Sequence, residues 1–164
     1  MSIIPPIRIG LGEDSHRIAA GRGMMIGGVS VDCGFHFVGH SDADVLLHAV
    51  TDAILGAIGL SDIGTLFPNS DSKNKDRSSG EMLQIAYQMV HEAGWRVGNL
   101  DCVVHSEVPK IQPIRGAICD SLAELLGLET QQVNVKGKTG ESTGPVGRGE
   151  LAEARCVALL VQQS

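Results

Sequence analysis

Aromatic side chains are nearly absent: three Phe, one Tyr and one Trp in 164 residues. A core must therefore rest on Ile, Val, Leu, Met and Ala. Positive charge is also short, with 13 Lys and Arg against 19 Asp and Glu and a net charge of −6. General nucleic-acid binding usually needs a basic stripe, so no nucleic-acid partner is expected. An anionic small molecule is not excluded, because a metal ion and a few placed cations can make a local positive site. No run of about 18 apolar residues exists, so no membrane-spanning helix is expected. The start, MSIIPPIRIG, lacks a charged region followed by an apolar stretch, and neither a secretory leader nor a transit peptide is expected. Cys33, Cys102, Cys119 and Cys156 form no Cys-x-x-Cys pair. Buried free thiols in a reducing cytoplasm are expected rather than a disulfide framework.

What is present fits one domain over residues 1–164, with 43% apolar residues and 21 glycines. Residues 7–12 alternate as a strand does, and 24–31 and 35–38 read as two further extended segments. Ser41 with Asp44 resembles a capping box opening a helix that fades near residues 56–59. Residues 61–77 form a long polar loop of the kind that often carries function. Ser78 with Glu81 starts a second helix, closed by Gly94. A strand follows at 100–105, then a helix from Pro109 to Gly127, then strands at 133–135 and 151–161 around a glycine-rich loop. Strands and helices interleave without strict alternation, which predicts an α+β fold with a mixed β-sheet packed against helices.

Asp14 and His16 are two apart, so on a strand both point to one face. His48 lies on the first helix, near His40 and Ser41 at its start. Two His and one carboxylate with an open position is a catalytic zinc arrangement. Asp44, His48 and Asp52 share a helical stripe, and either acid is a candidate partner for the second ring nitrogen of His48. The alternative is a surface histidine among helix-capping acids. It is the weaker reading of the set, because His48 interrupts an otherwise apolar helix.

The segment Gly137–Thr139 looks like the end of a P-loop, but Gln132 stands where the first glycine belongs. What remains is a loop whose backbone N–H groups can cradle phosphate beside Lys136, Lys138, Arg148 and Thr139. Glu141 is a candidate ligand for a second, hard cation, Mg²⁺ or Mn²⁺. A solvated hairpin loop is the other reading.

Taken in order, Gly12-x-Asp14-x-His16, HSDAD at 40–44, LHAVTDAILGA at 47–57, DIGTLFP at 62–68, Pro109–Lys110, NVKGKTGE and GRGE resemble the 2-C-methyl-D-erythritol 2,4-cyclodiphosphate synthase family. The resemblance covers nearly the whole chain. It implies a lyase of non-mevalonate isoprenoid biosynthesis acting on 4-diphosphocytidyl-2-C-methyl-D-erythritol 2-phosphate. There the 2-phosphate attacks the β-phosphate, CMP leaves and a cyclic diphosphate forms. It also implies a homotrimer with active sites between subunits.

Residue by residue, the resemblance implies that Asp14, His16 and His48 hold zinc, one per subunit. His40 and Ser41 would contact substrate phosphate, with His40 and Thr139 stabilising the transition state. Asp62, Ile63 and Gly64, with Phe67, Pro68, Asn69, Ser70 and Asp71, would surround the methylerythritol unit. Ser106, Glu107, Val108, Pro109, Lys110, Ile111 and Gln112 would form the cytidine pocket. Lys138, Thr139, Gly140 and Glu141 would meet the diphosphate and the second cation. Arg148 would lie near the trimer axis, with Pro145 also counted among the substrate contacts. The chain departs from the family's habit at Glu13, Asn69, Gly140 and Pro145. Two rivals are a metal-dependent phosphoester hydrolase and a trimeric binding module with a structural zinc.

Overall fold

The first strand, β1, runs over Ile7–Ala20, well beyond the six residues whose alternation is visible in sequence. Its second half carries Asp14, Ser15 and His16, and polar side chains on both faces hide the pattern. Described in the computed structural model are residues 6–39, 41–68, 70–74 and 77–163. The expected extended segment 24–31 is instead a hairpin of β2 (Met24–Ile26) and β3 (Val29–Val31). Gly27 (φ 60) and Gly28 (φ 78) form its turn, and positive φ at both central residues is what a two-residue hairpin turn requires.

The main sheet has the order β4-β1-β7-β5-β6, where β4 is Phe35–Val38, β5 Trp95–His105, β6 Val133–Lys138 and β7 Leu151–Gln162. All neighbours are antiparallel except β5 and β6, so the sheet is mixed, as expected of an α+β domain.

Helices cover one face: α1 (Val45–Ala57), α3 (Ser79–Glu92) and α4 (Arg115–Leu126). The two loops expected from sequence each contain a short helix, α2 (Ile63–Leu66) and α5 (Gly144–Gly147). Ser78 caps α3 through Glu81 N–H, as its pattern predicts. The helix expected from Pro109 begins only at Arg115, after a 3-10 turn at Gln112–Ile114.

Asp44, not Ser41, caps α1. Its buried carboxylate accepts from Leu46 N (3.1 Å), Leu47 N (3.0 Å), Gly27 N (2.8 Å) and Gly28 N (2.7 Å). Burial pushes this carboxyl above the ordinary range, while the Gly28, Leu47 and Gly27 N–H groups pull it back. One side chain thus ties the β2–β3 turn to the start of the helix carrying His48.

Leu46, Val50, Ile54, Leu83, Ile118 and Leu122 pack against Leu100, Val104, Ala154 and Leu160 of the sheet. This aliphatic core needs few aromatic rings, which accords with the composition. On the other face Ile7, Ile9, Leu11 and Val157 are 44–67% exposed. Glu13 pairs there with Arg155 across the β1–β7 ladder at 3.3 Å, which gives its acidic side chain a partner. Among the described residues no helix is long and apolar enough to cross a membrane.

The approach of α1 to β1 is the tightest in the fold. A Cβ on Gly12 would lie 2.0 Å from Ala49 O, and one on Gly10 1.8 Å from Ala53 O. Only glycine admits a helix backbone this close to a strand. Gly12→Ala is expected to cost about 2–3 kcal/mol, lowering Tm by roughly 5–10 °C. Gly116→Ala, exposed in α4 with no neighbour within 4 Å of the added carbon, should leave Tm unchanged or raise it. Equal thermal unfolding of the Gly12 variant and the wild type would refute this account of the packing.

Candidate metal centre and substrate cavity

Strand alternation turns Asp14 and His16 to the helix-covered face, and the close seating of α1 brings His48 over them. Asp14 Oδ2 lies 3.0 Å from His16 Nε2 and 3.0 Å from His48 Nδ1, and the two nitrogens are 3.1 Å apart. A triangle of this kind cannot be satisfied by protons alone: if both rings donate to the carboxylate, two N–H groups confront each other. A cation at its apex resolves the conflict. With metal–ligand bonds of about 2.0–2.2 Å, tetrahedral ligand atoms stand about 3.3 Å apart, close to the observed spacing. Among the described residues this is the one cluster of three or more His, Cys, Asp or Glu side chains placed to share an ion. Burial pushes the Asp14 carboxyl up. Hydrogen bonds and charge from His16 and His48 more than offset this and hold it well below the ordinary carboxylate range.

The triad opens onto a cavity of about 350 Å³, also lined by Ser41, Ile63, Gly64 and Phe67. Val38, Gly39, Asn74 and Met82 line it too and were not singled out by sequence. Met82 looks like any apolar position on an amphipathic helix, so its pattern carries no functional signal. His40 and Asn69 lie outside the described residues.

The expected partners of His48 are not its partners. Asp44 caps the helix, and Asp52 Oδ1 accepts from Ile63 N at 2.7 Å, fastening the 61–77 loop to α1. Burial raises the Asp52 carboxyl, with the Ile63 N–H opposing. His48 Nε2 instead lies 2.8 Å from Ser79 Oγ, at the start of α3. No sequence spacing links residues 48 and 79, and only the packed fold joins them.

Within the loop, Asp62 Oδ1 accepts from Thr65 N (2.8 Å), and the Asp71 carboxylate accepts from Lys73 N (3.0 Å). Pro68 O accepts from Asn74 Nδ2 at 3.0 Å. Phe67 is buried under the Arg77 guanidinium, 5.5 Å from the ring centre, while Pro68 and Ser70 are exposed.

The remaining expected residues gather elsewhere. Parallel pairing of β5 with β6 sets His105 beside Lys138, so residues 106–112 and 138–141 emerge together. Ser106 is buried, donating its hydroxyl to Val108 O at 2.8 Å. Lys110 Nζ meets Glu107 Oε1 at 2.8 Å, and Glu107 Oε2 accepts from Gly140 N at 3.3 Å. Buried Ile111 covers Gly137, and Gln112 starts the 3-10 turn after Val108-Pro109. Thr139 donates to Glu141 Oε1 at 3.1 Å, and Glu141 and Ser142 hold left-handed backbone (φ 49 and 60). Pro145 is exposed in α5, and Arg148 grips Glu150 through two nitrogens at 2.6 and 3.2 Å. Two strands separate β1 from β6, roughly 14 Å at ordinary strand spacing. None of residues 106–112 or 138–141 lines the triad's cavity.

The sequence model of the YgbB family matches residues 7–161. The chain is 50% identical over 144 residues, 88% of its length and 87% of the relative's, to the 2-C-methyl-D-erythritol 2,4-cyclodiphosphate synthase of Gemmatimonas aurantiaca. It is 47% identical to that of Bordetella avium, over 97% of this chain and 98% of the other. The solved structure described as IspF of Plasmodium falciparum in complex with CDP superposes with a TM-score of 0.87 at 34% identity, covering 99% of this chain and 100% of that one.

A divalent ion is expected to copurify with the protein at one per chain. His48→Ala leaves two ligands, and metal analysis of that variant should show at least a tenfold loss of bound ion. Its far-UV circular dichroism should match wild type, because His48 is not among the core side chains of its helix. Full metal content in the folded variant would remove His48 from the site.

Proposed function

Because the chain belongs to the YgbB family of cyclodiphosphate synthases, we propose that Asp14, His16 and His48 hold zinc at the heart of that family's reaction. The reaction converts 4-diphosphocytidyl-2-C-methyl-D-erythritol 2-phosphate to 2-C-methyl-D-erythritol 2,4-cyclodiphosphate, with release of CMP, in isoprenoid biosynthesis. The observation that carries the reading is the ligand triangle facing a cavity walled by the 61–77 loop.

Chemically, an oxygen of the 2-phosphate forms a bond to the β-phosphorus while the bond from that phosphorus to the bridging oxygen breaks, and CMP departs with that oxygen. Two anions must be brought together in line, so positioning and charge neutralisation dominate over general-base work. When bound, zinc supplies a Lewis acid and a template for phosphate oxygens. Ser41 lines the cavity and is assigned to the substrate phosphate, a role the family pattern gives to His40 as well. Ile63, Gly64 and Phe67 enclose the methylerythritol unit, and the family pattern assigns Asp62, Pro68, Asn69, Ser70 and Asp71 to the same end of the substrate.

Residues 106–112 receive the cytidine, with Lys110 free to exchange its Glu107 contact for an anionic ligand. Lys138 and the Thr139 hydroxyl meet the diphosphate, with His40 and Thr139 stabilising charge as it rearranges. Glu141 serves a second cation, Mg²⁺ or Mn²⁺. The relatives solved with CDP bound support a cytidine diphosphate ligand. Free thiols at Cys33, Cys102, Cys119 and Cys156 accord with a cytoplasmic enzyme.

Two half-sites separated on one chain are joined if chains assemble. The exposed apolar stripe of Ile7, Ile9, Leu11 and Val157 supplies a surface for this. The assembly we propose is a homotrimer, in which the metal half of one chain faces the cytidine half of the next. Closed threefold symmetry makes that interface heterologous. Arg148 and Pro145 then lie toward the axis.

Incubation with the cytidine diphosphate substrate should release CMP and a cyclic diphosphate in equal amounts. A linear phosphate product would identify a hydrolase instead. Co-assembling His48→Ala chains with Lys110→Ala chains should restore activity above that of either variant alone, because some interfaces then carry two intact halves. Verified mixed trimers without recovery would place both halves on one chain, and a monomer at working concentration would refute the assembly.

A further inference from the structure

His48 has two ring nitrogens with different surroundings. Nδ1 faces Asp14 and His16, the side on which an ion would sit. Nε2 points away, 2.8 Å from Ser79 Oγ, with Ser41 Oγ at the edge of contact at 3.5 Å. Ser41 Oγ already accepts from Ala43 N at 3.0 Å. Ser79 is the first residue of α3 and is fully buried, so its hydroxyl must find partners in the protein.

The second partner is the Asp42 carboxylate. It takes the Ser79 hydroxyl hydrogen bond, accepts from Ser79 N at 3.1 Å, and accepts from Asp44 N at 3.3 Å. A carboxylate can only accept, so the single hydrogen of Ser79 Oγ is committed to Asp42. The oxygen's free lone pair is then what faces His48. Nε2 must carry a hydrogen and donate it, which in the neutral ring that binds a metal leaves Nδ1 bare. A bare nitrogen on that side is the form a metal requires.

We propose that Ser79 and Asp42 are positioning residues that fix the tautomer and ring orientation of His48 for metal binding. This inference rests on the reading of Asp14, His16 and His48 as a metal site. The relay joins three pieces of the cavity: α1 with its histidine, residues 41–44 before that helix, and the far anchor of the 61–77 loop at the start of α3. Asp42 also stands at the N-terminus of a helix of 14 residues, where the backbone dipole favours negative charge.

The test is a zinc titration of metal-free protein against a competing chelator, with the wild type, Ser79→Ala and Ser78→Ala. Ser79→Ala keeps the backbone N–H to Asp42 and the helix, and removes only the hydroxyl. It is expected to raise the zinc Kd about 10–100-fold. The zinc-loaded variant should also lose the slowly exchanging His48 Nε2–H proton in ¹⁵N-edited NMR. Ser78→Ala removes the cap of the same helix, so it should lower Tm and leave the zinc Kd unchanged. Asp42→Asn frees the Ser79 hydroxyl to turn and should raise Kd by a smaller factor. It decides the matter if Ser79→Ala does not fold. A folded Ser79→Ala protein with wild-type zinc Kd overturns the relay alone. A wild type that binds no zinc overturns the metal reading and the relay with it.

Discussion

The seating of α1 directly on the backbone of β1 is the constraint on which the rest of the molecule depends. Gly10 and Gly12 leave no side chain between strand and helix. Without that approach His48 would stand too far from Asp14 and His16 to share an ion with them. The same seating lets Asp52, one turn beyond His48, reach the loop at Ile63. Asp44 fixes the other end by holding four backbone N–H groups at once. The candidate metal site is thus held by the backbone geometry of one strand and one helix, with neighbouring elements hung from the helix by carboxylates.

Residue spacing makes the cluster of Asp14, His16 and His48 legible without the fold. A two-residue interval on a strand and a histidine in an apolar helix are both local signals, and the α+β class followed from the order of elements. Their partners were less legible. Asp44 and Asp52 share a face with His48 in the helix, yet each is claimed by a nearby backbone group. Ser79 is 31 residues from His48, and nothing in its local sequence distinguishes it from the capping serine before it. The hairpin within 24–31 and the helical turn within 61–77 leave no pattern in sequence, because such short elements fall below the length at which periodicity speaks. The Asp14, His16 and His48 cluster and residues 106–112 with 138–141 lie in different regions of the sheet, a separation that only the strand order reveals.

Electrostatics here are local. The chain is acidic overall, so long-range attraction does not draw in a polyanion. Lys110 and Arg148 are each held by an acid, at Glu107 and Glu150. Such exposed pairs are weak, and a phosphate can displace the carboxylate at little cost. The acidic partners keep the cations oriented without saturating them.

The loop between residues 61 and 77 is clasped at both ends: Ile63 to Asp52 on one side, Ser79 to Asp42 on the other. Both clasps use backbone N–H groups, which any residue type except proline can supply. The closure of this ring is thus fixed independently of what lies between the clasps. Doubling the length of such a segment costs only about 0.6 kcal/mol of closure entropy. The stretch can therefore change its length and side chains over evolutionary time, reshaping one wall of the cavity, while Asp14, His16 and His48 beneath it stay in place.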